Sequence, residues 1–403
     1  MNVRIFPSVA RGSVSAPPSK SMAHRLLICA ALAQGESRIC GVSDCEDVQA
    51  TLDCLRVLGA DCKIDNNVVI VKGIDFNQVP NSTLPCRESG STMRFLLPLC
   101  LLSDKETTLV GAPSLLHRPM TVYQDLCQEH DLFFEQTESG IIIKGKLTAT
   151  EYTLPGDVSS QFISGMLFAL TQVAGESILR ILPPFESRSY VALTLEALKT
   201  FGADIEWLDD FTLCIRGGKM MKAQTLSVEG DYSNAAFLIA FNVLGGAVKI
   251  TGLNPASLQG DRICFEHFAS LEKGFATISV ADCPDLAPVL FALAARGEGA
   301  RFVDTRRLAI KESNRDEAMA TELRKFGTTV DVRENEVIIT PTAFHAPAEP
   351  LMGHNDHRIV MSLAVLATLT GGVIEGAEAV AKSFPDFFER IRSIGIQTEI
   401  ITQ

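Results

Sequence analysis

Residues 198–215 read LKTFGADIEWLDDFTLCI. The stretch parses as the end of a helix, Leu-x-x-apolar-Gly, followed by two short strands, with Gly202 at the position where a helix ends in left-handed backbone and glycine is favoured. The same reading fits LRVLGADCKIDNNVVIV (55–71) and LRKFGTTVDVRENEVIIT (323–340), and more weakly residues 126–145, 271–280 and 391–400. The six copies start at Leu55, Leu126, Leu198, Leu271, Leu323 and Ile391. Gly59, Gly327 and Gly395 take the same place as Gly202. A recurrence this regular predicts one structural unit used six times, mixing helices with strands and too large for a solenoid repeat.

Between these helix ends lie six further helices that start on small or polar residues and run on as apolar sequence: SKSMAHRLLICAAL, ESGSTMRFLLPLC, DVSSQFISGMLFAL, GDYSNAAFLIAFNV, DCPDLAPVLFALAA and HNDHRIVMSLAVLA. Helices apolar around most of their circumference are buried, so their N-termini are the informative ends. Taken singly, each Ser, Asp or Asn is accounted for as an N-cap. Caps do not account for Arg25, Arg94 and Arg358, which stand in the first turn or two, where the positive end of the helix dipole disfavours a cation. Helix N-termini furnished with arginines make a site for a polyanion.

The rest of the composition narrows what that anion is. A chain of 403 residues carrying 46% apolar residues is expected to form two domains, folded throughout. Its net charge of −12, one Trp and four Tyr lack the basic stripe and stacking aromatics of a nucleic-acid binder. The N-terminal stretch has no signal-peptide pattern and no run is long and apolar enough for a membrane span, so a cytoplasmic protein is expected, with no membrane and no nucleic acid among its partners. Eleven cysteines without a C-x-x-C pair read as reduced core fillers.

Charge appears again in LLHRPM around Arg118, CPDLAPV around Asp285, AKSFPDFFER around Lys382, and IKESNRDE. The last is expected to open a helix with Lys311 and Arg315 four apart on one face and Glu312 on the flank. There is no G-x-G-x-x-G after a strand, no P-loop and no G-x-S-x-G elbow. His354 and His357 have no second ligand cluster, so a zinc site is not expected. A phosphate or carboxylate substrate handled without metal or nucleotide remains.

SKSMAHR, DVSSQF, IKESNR, NDHR and AKSFPDFFE, in this order from the first helix to the last, resemble the 3-phosphoshikimate 1-carboxyvinyltransferase (EPSP synthase) family of enolpyruvyl transferases. The resemblance implies a mixed α/β fold of two domains, each of three βαβαββ units with helix N-termini directed to the cleft between them. Domain I would comprise 1–14 with 229–403, and domain II 15–228. It implies transfer of the enolpyruvyl group of phosphoenolpyruvate to the 5-hydroxyl of shikimate 3-phosphate with release of phosphate, with no cofactor. By motif, Lys20, Ser21, Arg25, Ser159, Ser160, Gln161, Ser187, Asp285 and Lys311 would hold shikimate 3-phosphate. Lys20, Gly90, Arg118, Gln161, Arg315, Arg358 and Lys382 would meet phosphoenolpyruvate. Proton transfers would fall to Asp285 as base, Glu312 as shuttle, and Lys20. A monomer that closes on its substrates is expected.

One stretch departs from the family pattern. Glu88-Ser89-Gly90-Ser91-Thr92-Met93-Arg94-Phe95 stands where the family usually has Asn-Ala-Gly-Thr-x-x-Arg followed by proline. An altered response to glyphosate, which occupies that pocket in the family, is a hypothesis that inhibition of the purified enzyme at ordinary family levels would remove. The sister transferase acting on UDP-N-acetylglucosamine carries a cysteine in the loop before its Arg-Pro and an asparagine after its first lysine. Here GAPSLLHRP (111–119) has no cysteine and Ser21 follows Lys20. A non-catalytic anion binder would need the cations but not Asp285 and Glu312.

Overall fold

The computed structural model describes residues 1–401. The helix ends are where the glycines put them: Gly59, Gly202, Gly327 and Gly395 have φ of 106°, 95°, 82° and 93°. In the copy at Leu126, Asp131 takes the left-handed position with φ of 54°. After each of these five ends the chain forms a strand that pairs antiparallel inside a four-stranded sheet. Around Gly202 the sheet runs Glu151–Pro155, Gly175–Leu182, Thr212–Gly217, Asp204–Trp207, with the first pair parallel and the others antiparallel. Strand Val68–Lys72 shows the half-buried period of two, Val69 and Val71 facing the core.

Three of the sheets borrow a strand from far along the chain. Thr225–Ser227 pairs parallel with Glu36–Cys40. Asn2–Ile5 lies between Gly372–Glu375 and Thr398–Ile401, in the place a hairpin strand holds in the other copies. The sixth sheet is abbreviated: Arg11–Ser15 pairs parallel with Ala247–Thr251, and after helix Cys264–Lys273 the chain passes through Gly274 (φ 137°) into Ala276–Ser279 of the next sheet.

The chain divides into two compact units, Met1–Ser19 with Gly230–Gln403, and Lys20–Glu229. Residues 15–19 stay with the first unit because Ala16 N bonds to Thr251 O and Asp231 N to Pro17 O. Each unit has its own apolar core. Lys20–Leu32, Gly90–Cys100 and Ser160–Leu170 are buried along nearly their whole length in one; Tyr232–Val243, Ala287–Arg296 and His357–Thr370 in the other. Helix Gly90–Cys100 comes close to Ser160–Leu170 because Gly165 has no side chain: a Cβ there would lie 2.3 Å from Arg94 O and from Tyr123 Oη. No helix among the described residues is long and apolar enough to cross a membrane. The cysteines are free thiols, buried but for the half-buried Cys40.

Candidate active site

In the unit Lys20–Glu229, three helix starts carry the expected residues. Lys20 begins Lys20–Leu32, and its Nζ lies 2.7 Å from Asp47 Oδ2 in the first turn of Glu46–Val57. Arg25, one turn on, is buried and donates from Nη1 to Ser21 O (2.7 Å), from Nε to Thr194 Oγ1 (2.8 Å) and from Nη2 to Tyr190 O (2.9 Å), with its guanidinium 5.1 Å from the Phe95 ring centroid. All three acceptors are neutral. Burial lowers the guanidinium to about 10, because removing it from water disfavours its charge. Tyr190 and Thr194 belong to Arg188–Thr200, whose N-cap is Ser187, buried and left-handed at φ of 54°. Arg25 and Ser187 are thereby tied to one helix start.

The other two starts meet at Gly90. Ser89 caps Gly90–Cys100 by accepting from Thr92 N, and Ser159 caps Ser160–Leu170 by accepting from Gln161 N. Gln161 Oε1 accepts from Arg94 Nη1 (2.8 Å) and its Nε2 donates to Ser91 Oγ (2.8 Å), which bridges the two helices. A Cβ on Gly90 would sit 3.0 Å from Arg118 Nη1, 3.3 Å from Arg94 Nη1 and 3.7 Å from Gln161 Oε1. Two buried arginines and an amide therefore converge on bare backbone. The departure at Glu88–Phe95 leaves this convergence in place: Ser89 supplies the cap, and Phe95 packs under Arg25.

In the other unit the pattern is ionic. Arg315 is fully buried and meets three carboxylates: Asp285 Oδ1 from Nη1 (2.8 Å), Glu312 Oε2 from Nη2 (2.7 Å) and Asp356 Oδ2 from Nε (2.9 Å). Lys311 Nζ lies 3.6 Å from Asp285 Oδ1, and Arg358 Nη2 3.6 Å from Asp285 Oδ2. Burial opposes ionisation of Asp285, but Lys311, Arg358 and Arg315 outweigh it and hold the carboxyl well below the usual range. Lys311 is itself lowered, chiefly by burial, against the pull of Asp285. Lys382 Nζ donates to Asn355 O at 2.5 Å.

Lys311 and Glu312 do not lie on the helix expected for them. Asn314 caps Arg315–Arg324 by accepting from Glu317 N, and Lys311 is extended, with φ of −83° and ψ of −156°. The helix starts only at Arg315 because the Asn314 side chain satisfies its first free amides. Glu312 reaches Arg315 from a turn, and Lys311 reaches Asp285, neither through helical spacing. Arg94, Asp47 and Asp356 complete the two clusters without having been assigned to either substrate. Arg94 carried a signal in its place at a helix start; Asp47 and Asp356 carried only that of ordinary first-turn acids and caps. Among the described residues no group of His, Cys, Asp and Glu is placed to hold a metal ion.

The family model of EPSP synthase (3-phosphoshikimate 1-carboxyvinyltransferase) matches residues 7–391. A 3-phosphoshikimate 1-carboxyvinyltransferase of Clostridium kluyveri is 39% identical, covering 98% of this chain and 97% of the relative. One of Clostridium perfringens is 36% identical, covering 98% of each. Among solved structures, EPSP synthase from Acinetobacter baumannii superposes with a TM-score of 0.79 over 100% of both chains at 24% identity. The enolpyruvyl transferase NikO from Streptomyces tendae gives 0.80 over 99% of this chain and 98% of that one at 16%. The structures speak for the fold; the sequence matches, which run through every helix start described above, speak for more. By these matches the chain belongs to the EPSP synthase (3-phosphoshikimate 1-carboxyvinyltransferase) family.

Proposed function

We propose that this protein transfers the enolpyruvyl group of phosphoenolpyruvate to the 5-hydroxyl of shikimate 3-phosphate, in aromatic amino acid biosynthesis. It is a transferase. The observation that carries the reading is the Asp285–Arg315–Glu312 network beside Lys311 and Arg358, in a chain that matches the family along its length. Binding alone would need the cations; paired carboxylates among them fit proton transfer.

In this reading Lys20, Ser21, Arg25, Ser159, Ser160, Gln161 and Ser187 hold shikimate 3-phosphate, with Asp285 and Lys311 at its reacting side. Phosphoenolpyruvate meets Lys20, Gly90, Arg118, Gln161, Arg315, Arg358 and Lys382. A proton goes to the methylene carbon, the 5-oxygen bonds to the adjacent carbon, and a tetrahedral intermediate forms. A methyl proton then leaves, the double bond returns, and phosphate departs with the carbon–oxygen bond electrons. Asp285, ionised at neutral pH, takes the hydroxyl proton, and Glu312 and Lys20 move the others. Substrate anions draw Lys311 and Arg358 off Asp285, which raises its proton affinity when a base is needed.

Separate cores in the two units support a monomer, and free thiols support a reducing, cytoplasmic setting. The deciding assay is phosphate release from phosphoenolpyruvate without added metal, with shikimate 3-phosphate and, separately, UDP-N-acetylglucosamine as acceptor. Release with shikimate 3-phosphate alone is expected. Release with the nucleotide sugar would reassign the acceptor, and release with neither would leave a binding protein.

A further inference from the structure

The turn before helix His357–Thr370 contains two adjacent non-glycine residues in the left-handed region, His354 (φ 49°) and Asn355 (φ 52°). Such backbone is unfavourable for L-residues by about 1 kcal/mol or more each and persists only where its surroundings hold it. What it positions is the densest part of the ionic cluster. Asn355 O receives Lys382 Nζ. Asp356, next in the chain, caps the helix through Arg358 N (2.9 Å) and takes Arg315 Nε.

The turn is held from behind by Glu322, whose side chain is buried on helix Arg315–Arg324. Glu322 Oε2 accepts from Met352 N at 2.9 Å and from Lys325 Nζ at 2.8 Å, and Oε1 lies 2.9 Å from His354 Nε2. Lys325 Nζ also donates to Pro350 O at 2.8 Å. Glu322 and Arg315 lie two turns apart on one helix, so the same rod grips Asp356 through Arg315 at its start and the strand leading to Asp356 through Glu322 near its end.

We propose that Glu322 is a positioning residue for enolpyruvyl transfer: by holding Met352 and His354 it sets the His354–Asn355 turn, and through it Asp356, Arg358 and the carbonyl that meets Lys382. This rests on the reading above, in which Arg358 and Lys382 meet phosphoenolpyruvate. Burial opposes the Glu322 charge, yet His354, Lys325 and the Met352 amide keep its carboxyl below the usual range, in accord with an ionised anchor.

The test uses three variants of the full chain: Glu322→Gln, His354→Ala and His354→Gln. Amide hydrogen exchange over 352–358 and the KM of each substrate are read together. In Glu322→Gln and His354→Ala, the KM for phosphoenolpyruvate is expected to rise ~5- to 30-fold, the worth of one or two lost buried hydrogen bonds. The KM for shikimate 3-phosphate should hold and exchange over 352–358 should quicken. His354→Gln, whose amide can donate as the imidazole does, should recover most of the loss. A lowered Tm with both KM values unchanged, or both rising together, would make Glu322 a residue of the fold and overturn the proposal. If the parent chain releases no phosphate, the functional reading fails by itself. Exchange then still decides here: unaltered protection of 352–358 in His354→Ala overturns the anchoring.

Discussion

Arg25 and Arg315 are both buried arginines beside the starts of helices, and their surroundings differ. Arg25 donates to a hydroxyl and two carbonyls, while Arg315 meets Asp285, Glu312 and Asp356. Neutral acceptors fix the direction of a guanidinium and leave its charge uncompensated, so burial pulls Arg25 down to about 10, and the phosphate of the proposed substrate would meet that charge unshared. Carboxylates fix direction and cancel charge, so Arg315 is held well above its usual range although burial opposes it. In the proposed reaction an incoming anion there displaces a carboxylate partner, and the partner released is the proposed base. Arg25 thus offers an anion a neutral cradle in that reaction, and Arg315 stands among carboxylates through which protons can move.

The comparison breaks first at Asp285. Asp285→Asn should lower kcat for phosphate release by about 10²- to 10⁴-fold, the usual worth of a general base. A loss carried by KM alone would make Asp285 a ligand, and the two units alike. Arg315→Met comes next, since it strands the fully buried Asp356 and leaves the partly buried Asp285 and Glu312 without this partner, at a cost of roughly 3–5 kcal/mol. Arg25→Met leaves only neutral acceptors, about 1–3 kcal/mol. Calorimetry should show the first variant unfolding well before the second; equal shifts would erase the distinction.

Gly90→Ala sharpens the binding side. The new methyl meets Arg118 at 3.0 Å and must move it, an overpacking cost of about 1 kcal/mol or more. Displacing Arg118 by an amount worth about 1 kcal/mol to binding should raise the KM for phosphoenolpyruvate roughly fivefold, and the strain should lower Tm slightly. An unaltered KM would remove Gly90 from the pocket.

An effect on stability alone, seen only as pH changes, concerns Asp316, beside Arg315 but turned to a different fate. It is buried, its Oδ1 has no hydrogen-bond partner, and burial pushes its carboxyl up to about 7. A folded value above the unfolded value of ~3.9 means that the folded chain binds a proton the unfolded chain releases. Stability from this group is full below ~pH 4 and is lost as pH rises to about 7. Asp316→Asn should raise Tm at pH 8 and leave it unchanged at pH 4; the reverse order would refute the assignment. Asp285, held low by its cations, carries the opposite sign and loses its contribution as pH falls below ~4.

The repeat was legible because its signals are local. Glycine at a helix end, a hairpin after it, and an apolar helix opening on a small polar residue each depend on neighbours within one or two turns. The cations followed, since an arginine against a helix dipole is a local anomaly. Lys311 and Glu312 were misplaced for the same reason: their spacing suited a helix, and the Asn314 side chain starts that helix later. Glu322, Asp47 and Asp356 read as common acids, and nothing in their own stretches shows which donor each meets.

Sequence by itself determined the six-fold use of one unit, the buried helices, and the residue types gathered at their starts, because chain conformation and amphipathic pattern act over short separations. Only the tertiary structure decided that Asn2–Ile5 completes a sheet with Gly372–Glu375 and Thr398–Ile401, and that Arg315 meets three carboxylates while Arg25 donates to a hydroxyl and two backbone carbonyls. Strand pairing and ion pairing between distant residues depend on which surfaces the folded core brings within a few ångströms, and that distance is a property of the packed chain.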